Sequence, residues 1–257
     1  MSITPEINQF LEQYFDKVLL LSVTRFTDRH RRVEQQLKGL HFDYFWGTDK
    51  LTLTEEEISA NNLYNDVKAR QLQRQGKGLN MGEIACSLSH RSIYAAMVAN
   101  GWKKILILED DVMPSLDDLY LLPVTLQELP VDWELVYLGY LKNEKITAGL
   151  QSKQFFYKIF SRLGLMKWSY TMIKNLLPLP FTAHLKKAGF HDCTHAYAIS
   201  LPAAKKLLQA QTPVVYRADD LLSATILKGE LKAFITDPKF FDQEIFHNPS
   251  LASEIKI

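Results

Sequence analysis

Residues 104–112 read Lys-Ile-Leu-Ile-Leu-Glu-Asp-Asp-Val, and this segment narrows the possible folds more than any other. Residues 105–108 are all Ile or Leu, an apolar run without alternation. Such a run fits a strand buried on both faces, as at the centre of an α/β sheet. It ends in three consecutive carboxylates, Glu109, Asp110 and Asp111. Like charges crowded at a strand end destabilise one another unless a cation offsets them. Open α/β sheets bind ligands beyond the carboxyl ends of their strands. A hydrated Mg²⁺ or Mn²⁺ holding a diphosphate would neutralise the triplet, because hard cations take oxygen ligands. A solvated acidic turn also satisfies these residues, and the triplet alone leaves both open.

The flanking pattern supports the α/β class. Thr4-Pro5-Glu6 has the N-cap, first-position proline and first-turn acid of a helix start, and the helix is expected to reach about Phe15. Residues 17–23 (KVLLLSV) read as a first buried strand. A helix over 32–39 closed by Gly39, a strand over 42–46, and short helices or loops over 50–78 follow. Asn80 and Glu83 have the spacing of a capping box, opening a helix that stops at Asn100-Gly101. Its Glu83, Ser87, His90 and Tyr94 fall on one stripe, facing either a site or solvent. Residues 134–138 and 194–200 read as strands, the first ended by Gly139. A helix follows Pro202, Asp219 and Asp220 precede another, residues 231–236 form a last strand, and a loop-like tail begins at Pro238. Alternating strands and helices predict a mainly parallel sheet with helices on both faces, in one domain over 1–257.

Composition excludes several classes. With 47% hydrophobic and 23% charged residues and a net charge of +1, the chain is of globular type and carries no general nucleic-acid-binding charge. Its two cysteines, Cys86 and Cys193, lack close metal-type partners and read as free thiols of a reducing compartment. The N-terminus lacks signal-peptide layout, and no stretch reaches about 18 uninterrupted apolar residues. A cytoplasmic protein is expected.

Several segments together resemble glycosyltransferase family 25, which includes bacterial lipooligosaccharide galactosyltransferases and collagen galactosyltransferases. Residues 82–90 (GEIACSLSH) look like that family's GEIGCALSH signature, with Ala85 in place of Gly. Leu108-Glu109-Asp110-Asp111 looks like its LEDD motif. Residues 21–29 (LSVTRFTDR) are similar to its opening INLxRxxxR, with Ser22 in place of Asn. Tyr137-Leu138-Gly139, the strand over 194–200, Ala218-Asp219-Asp220, Gln243 and Ser253-Glu254-Ile255 fit weaker motifs in the right order. The resemblance implies a GT-A type, Rossmann-like fold. It also implies an inverting hexosyltransferase that moves a hexose, galactose foremost, from a UDP-sugar to a cell-surface glycan or lipooligosaccharide.

The resemblance also implies roles. Asp111 would ligate Mn²⁺ or Mg²⁺, with Glu109 as its partner or on the ribose, while strand alternation turns Asp110 away toward a base or a helix N-terminus. An inverting transfer needs a base for the acceptor hydroxyl, and the adjacent Asp219 and Asp220 are the candidates, Asp219 first. The alternative for both is helix capping. Glu109, Asp110, Ser22, Arg25, Arg29, Glu83, His90 and His195 are donor-binding candidates, each with a structural alternative. His247 is a candidate third metal ligand, and Tyr137 and Tyr197 read as packing residues. Another nucleotide-sugar or nucleotidyl transferase, or an inactive glycan-binding relative, would keep the same frame.

Residues 151–190 stand apart. They carry Lys153, Lys158, Arg162, Lys167, Lys174, Lys186 and Lys187, interleaved with aromatics, and no acid. One or two amphipathic helices broken near Pro178 and Pro180 are expected. They would dock the enzyme on the inner membrane face, where a lipid-linked acceptor lies. Packing on the domain or an oligomer contact are the alternatives.

Overall fold

The computed structural model describes residues 2–73 and 76–248. An eight-stranded sheet forms its centre, ordered β2 (Asp43–Trp46), β1 (Lys17–Ser22), β3 (Lys104–Glu109), β8 (Asp192–Ser200), β5 (Leu135–Leu141), β9 (Ala233–Thr236), β7 (Leu185–Lys187), β6 (Leu179–Pro180). Strands β1, β2 and β3 pair in parallel, as do β5 and β9. Strand β8 runs antiparallel between β3 and β5. All but β8 and β7 therefore point one way. A small ribbon joins β4 (Val112–Pro114) antiparallel to β10 (Phe241–Gln243). This is a Rossmann-like α/β fold of the expected class.

Helices cover both faces, and strand alternation decides which side chains each meets. Val18 and Leu20 of β1, with Leu106 and Leu108 of β3, pack with α1 (Pro5–Tyr14), α2 (Thr27–Gln36) and α6 (Leu122–Gln127). Leu19, Leu21, Ile105 and Ile107 point the other way. They meet α5 (Met81–Asn100), α9 (Leu201–Ala210) and α10 (Ala218–Lys228). Residues 105–108 are fully buried, as a two-sided apolar strand requires. Short helices α3 (Glu55–Ala60) and α4 (Asp66–Leu72) occupy the polar stretch before α5.

The capping box on α5 is complete: Asn80 accepts from the Glu83 N–H, and Glu83 accepts from the Asn80 N–H, both at 2.9 Å. Gly101 ends the helix in the left-handed conformation at φ 68°.

Four expectations are corrected. Helix α2 starts at Thr27, because the polar run after β1 is already helical. Gly139 lies inside β5 at a register irregularity. A Cβ there would collide with the His195 ring and the Phe241 carbonyl, so the glycine serves a close approach rather than a stop. Asp219 and Asp220 lie in the first turn of α10, not before it. The tail after Pro238 forms β10 and α11 (Glu244–His247). Ser253-Glu254-Ile255 lies outside the described residues.

Within 151–190 the chain forms α7 (Ala148–Arg162) and α8 (Tyr170–Lys174), then the β6–β7 hairpin that extends the sheet through β9. Lys186 pairs with Asp237 at 2.5 Å, so the unbalanced cations concentrate on the helices before the hairpin.

Candidate active site

The carboxyl edge of the sheet gathers most of the candidates. Strands β1 and β3 end there at Ser22 and Glu109, and β8, running backwards, begins there with Asp192, Cys193, Thr194 and His195. The bend between β3 and β4 presents the acidic triplet. The N-termini of α5 and α10 approach the same edge and bring Glu83, Arg217, Asp219 and Asp220.

The three carboxylates have three different environments. Asp110 is buried and accepts from Arg29 Nη1 at 2.8 Å and from the Ser22 hydroxyl. With that proton committed, His30 Nε2 donates to the Ser22 oxygen at 2.9 Å. Asp110 thus turns to a base, and Ser22 and Arg29 anchor the triplet.

Glu109 accepts from His90 Nε2 at 3.1 Å and from the Thr194 hydroxyl. Burial opposes its ionisation, but the His90 and Thr194 contacts outweigh it and hold Glu109 below the ordinary carboxylate range. Behind His90, its Nδ1 lies 2.8 Å from the Tyr197 hydroxyl, which lies 3.0 Å from that of Tyr94. Each proton is used once when Tyr94 donates to Tyr197, Tyr197 to Nδ1, and Nε2–H to Glu109. The polar stripe of α5 therefore faces β8 and α10, with Ser87 donating to the Tyr216 carbonyl at 3.0 Å. Tyr197 packs in the core and also closes this chain.

Asp111 is the least neutralised of the three. Its Oδ2 accepts from Gln243 Nε2 at 3.2 Å, and its carbonyl from the Glu244 N–H at 2.8 Å. Its Oδ1 is buried without a partner. Burial, reinforced by Glu109 and Asp110, pushes its pKa up to about 7. An unpaired buried carboxylate oxygen is costly unless something outside the chain meets it. His195 is also fully buried, its Nδ1 unpartnered, and burial lowers its pKa.

A polar cavity of about 400 Å³ adjoins this edge, lined by Glu83, Lys142, Asp192, Arg217 and Asp220 among others. Arg217 holds Asp220 at 2.7 Å and reaches Glu83 at 4.0 Å. Asp219 pairs differently, its carboxylate accepting the Asp220 N–H at 2.9 Å. Burial raises its pKa, Asp220 and Asp192 add to that, and Arg217 opposes it. Strand β8 links cavity and triplet: Asp192 lines the cavity, and Thr194, two residues on, holds Glu109. Cys193 between them has φ 73°, a left-handed conformation costly for a side chain, beside the β5–β8 irregularity. Cys86 and Cys193 are free. Burial, then the charges of Glu109 and Asp219, raises both thiols, so neither is poised as a nucleophile.

Other candidates lie further out. Arg25 pairs with Asp49 at 2.8 Å, and His247 lies 3.3 Å from Asp242. Among the described residues no three His, Cys, Asp or Glu side chains gather closely enough to hold a metal by themselves. Thr194, Asp192, Lys142 and Arg217 carry the site's contacts without having been singled out. For Asp192 and Thr194 the signal is topological, since a reversed strand delivers its first residues to this edge, whereas Lys142 follows β5 and Arg217 caps α10.

The comparisons fit this geometry. A family model described as glycosyltransferase family 25 (LPS biosynthesis protein) matches residues 15–222. The human inactive glycosyltransferase 25 family member 3 is 29% identical over 210 residues, 77% of this chain and 29% of that protein. Procollagen galactosyltransferase 1 of Danio rerio is 24% identical over 247 residues, 87% of this chain and 35% of that protein. Human procollagen galactosyltransferase 2 is 25% identical over 206 residues, 76% of this chain and 28% of that protein. The chain thus spans about a third or less of the length of these relatives.

Proposed function

We propose that this chain, which belongs to glycosyltransferase family 25, moves a hexose from a UDP-sugar to a glycan hydroxyl with inversion. Galactose is the first donor sugar to test, given the names of the procollagen galactosyltransferases it resembles. The observation that carries this is the division of labour in the triplet: Asp110 is paired with Arg29, Glu109 is held by hydrogen bonds from His90 and Thr194, and Asp111 keeps a buried oxygen for an external cation.

Such a donor set fits Mn²⁺ or Mg²⁺, which use one or two carboxylates and complete their shell with water and phosphate oxygens. Asp111 would hold the ion, with Glu109 behind it. The bound ion supplies charge neutralisation of the departing diphosphate. The chain's own residues do the rest. Arg29 and Ser22 fix the triplet, and His90 and Thr194 hold Glu109 ionised and oriented. Asp219 takes the acceptor hydroxyl proton as that oxygen attacks the anomeric carbon and UDP departs. Its raised pKa gives it the basicity an ordinary aspartate lacks. Asp220, committed to Arg217, shapes the cavity wall.

Calorimetric titration with UDP, with and without Mn²⁺, is the first test, followed by a nucleotide-sugar panel scored as released nucleotide. Mn²⁺-dependent UDP binding with turnover of one donor is expected, and UDP binding indifferent to divalent cations overturns the assignment of Asp111. The names of the inactive family members favour a second reading, a binding protein without turnover. UDP binding with no donor consumed would select it.

A further inference from the structure

Helix α7 is mounted the wrong way round for a helix packed in water. A surface helix normally turns its apolar stripe to the core. Here the face toward the body carries the part-buried Leu150, Gln154, Tyr157, Lys158 and Ser161. Gln154 Nε2 donates to the Ile173 carbonyl and the Ser161 hydroxyl to the Trp168 carbonyl, both at 2.8 Å. The opposite face is apolar and open: Phe155 is 61% exposed, Phe156 55%, Ile159 40%, Phe160 42% and Leu163 65%. At 3.6 residues per turn these five side chains span an arc of about 140°. No residue of α7 is buried, so the helix adds nothing to the core.

Cations edge the arc. Lys153 lies on one side, its ammonium 5.5 Å from the Tyr157 ring centre. Arg162 lies on the other, stacked 4.4 Å over Tyr170. No acid occurs anywhere in 151–190. A protein partner for an apolar face would leave these cations unanswered unless it were itself acidic. An anionic bilayer answers both at once, with acyl chains for the rings and headgroups for the cations. Helix α7 is too short to span a bilayer, and no helix among the described residues is long and apolar enough to cross one.

We propose that α7 docks this chain onto an anionic lipid surface. Phe155, Phe156, Ile159 and Phe160 enter the headgroup–acyl boundary, and Lys153 and Arg162 sit at the headgroups. The surface borders the candidate site. Lys167, between α7 and α8, donates to the Gln73 carbonyl at 3.1 Å, and Gln73 lines the polar cavity. The inference stands on the mounting of α7 and not on the transferase chemistry.

The test is co-sedimentation of the full chain with vesicles of phosphatidylcholine alone or mixed with phosphatidylglycerol, at low and high salt. Two paired variants accompany it, Phe155→Ser with Phe156→Ser and Lys153→Gln with Arg162→Gln. The wild type should partition onto anionic vesicles and be released by salt. Each cation removed should lower partition about fivefold, and the serine pair at least as much as one cation. The sites are exposed, so the thermal midpoint should hold; if the serine pair unfolds the chain, the charge pair decides alone. Equal partition on neutral and anionic vesicles, or none on either, overturns the proposal. So does a dimer, seen by sedimentation equilibrium, that the serine pair dissolves, because the occupant would then be a second copy.

Discussion

Two runs of adjacent carboxylates meet at the carboxyl edge of the sheet, and an arginine divides each. Arg29 takes Asp110 at 2.8 Å, and Arg217 takes Asp220 at 2.7 Å. The neighbour left over, Asp111 or Asp219, has its pKa raised by burial and by the remaining acids. The runs differ in what surrounds that neighbour. Asp111 hangs on a strand junction latched by the Glu244 N–H, with one oxygen on Gln243 and the other unpaired. Asp219 sits in a helix's first turn, where Asp192 from β8 adds to its proton affinity. The same local sequence thus yields an oxygen suited to a cation in one run and a proton acceptor in the other.

The sharpest test separates those two uses. Asp219→Asn should lower kcat by about 10²–10⁴-fold, roughly 3–5 kcal/mol of barrier. UDP affinity should stay within twofold or so, because the side chain holds no part of the donor. Steady-state kinetics beside calorimetry measures both. A variant that keeps its turnover would dissolve the comparison, leaving Asp219 a capping residue.

The next test concerns the turn that leads into β8 and ties it to the end of β5. His191 is buried, its Nε2 accepting from the Gly189 N–H at 3.1 Å and its Nδ1 donating to the Lys142 carbonyl at 2.9 Å. Both nitrogens are used in the neutral form, and burial lowers the pKa to about 4. The unfolded chain binds this proton below about 6.5, and the folded chain not until about 4. Stability from this residue is therefore full above pH 6.5 and falls as pH drops toward 4, by up to about 3 kcal/mol. His191→Gln should be less stable than wild type at pH 7, and the gap should narrow on acidification. A gap constant from pH 7 to 4 would show that His191 titrates alike in both states.

On the triplet side, Asp111→Asn should weaken Mn²⁺-dependent UDP binding tenfold or more, about 1.4 kcal/mol. The thermal midpoint without metal should not fall, because a crowded charge is removed. An unchanged UDP affinity would make Asp111 and Asp219 alike after all.

What the sequence disclosed follows the range of the forces involved. The buried strand, the capping box at Asn80 and Glu83 and the left-handed Gly101 are local, and all three are found where residue type placed them. The polarity of β8 was invisible, because whether a strand runs with or against its neighbours is settled by chain returns between distant segments. With it went Asp192 and Thr194, which reach the site only because β8 runs backwards. The division of each acid run was half visible. Asp220 and Arg217 are three residues apart, whereas Asp110 and Arg29 are 81 apart. Gly139 misled because a glycine that lets another backbone approach looks the same in sequence as one that ends a strand. The outward mounting of α7 was not legible either: amphipathic spacing gives a helix two faces and leaves open which one turns inward.

The smallest expected effect tests the arginine's role. Asp220→Asn keeps an oxygen that can accept from Arg217 and loses the charge. The pair is partly exposed, so it should cost no more than about 1 kcal/mol of stability, with a few tenths more from the first-turn position. The informative readout is the pH dependence of turnover. Asp220 raises the pKa of Asp219 and Arg217 lowers it. Removing the Asp220 charge removes the first influence and leaves the Arg217 charge less compensated. The acidic limb of the kcat profile should therefore move to lower pH, while kcat on the plateau stays within a few fold. A limb that stays in place would mean that Asp219 does not govern it. A limb that moves upward would mean that Arg217, once released, turns away from Asp219, and the symmetry between the two acid runs would fail on the α10 side.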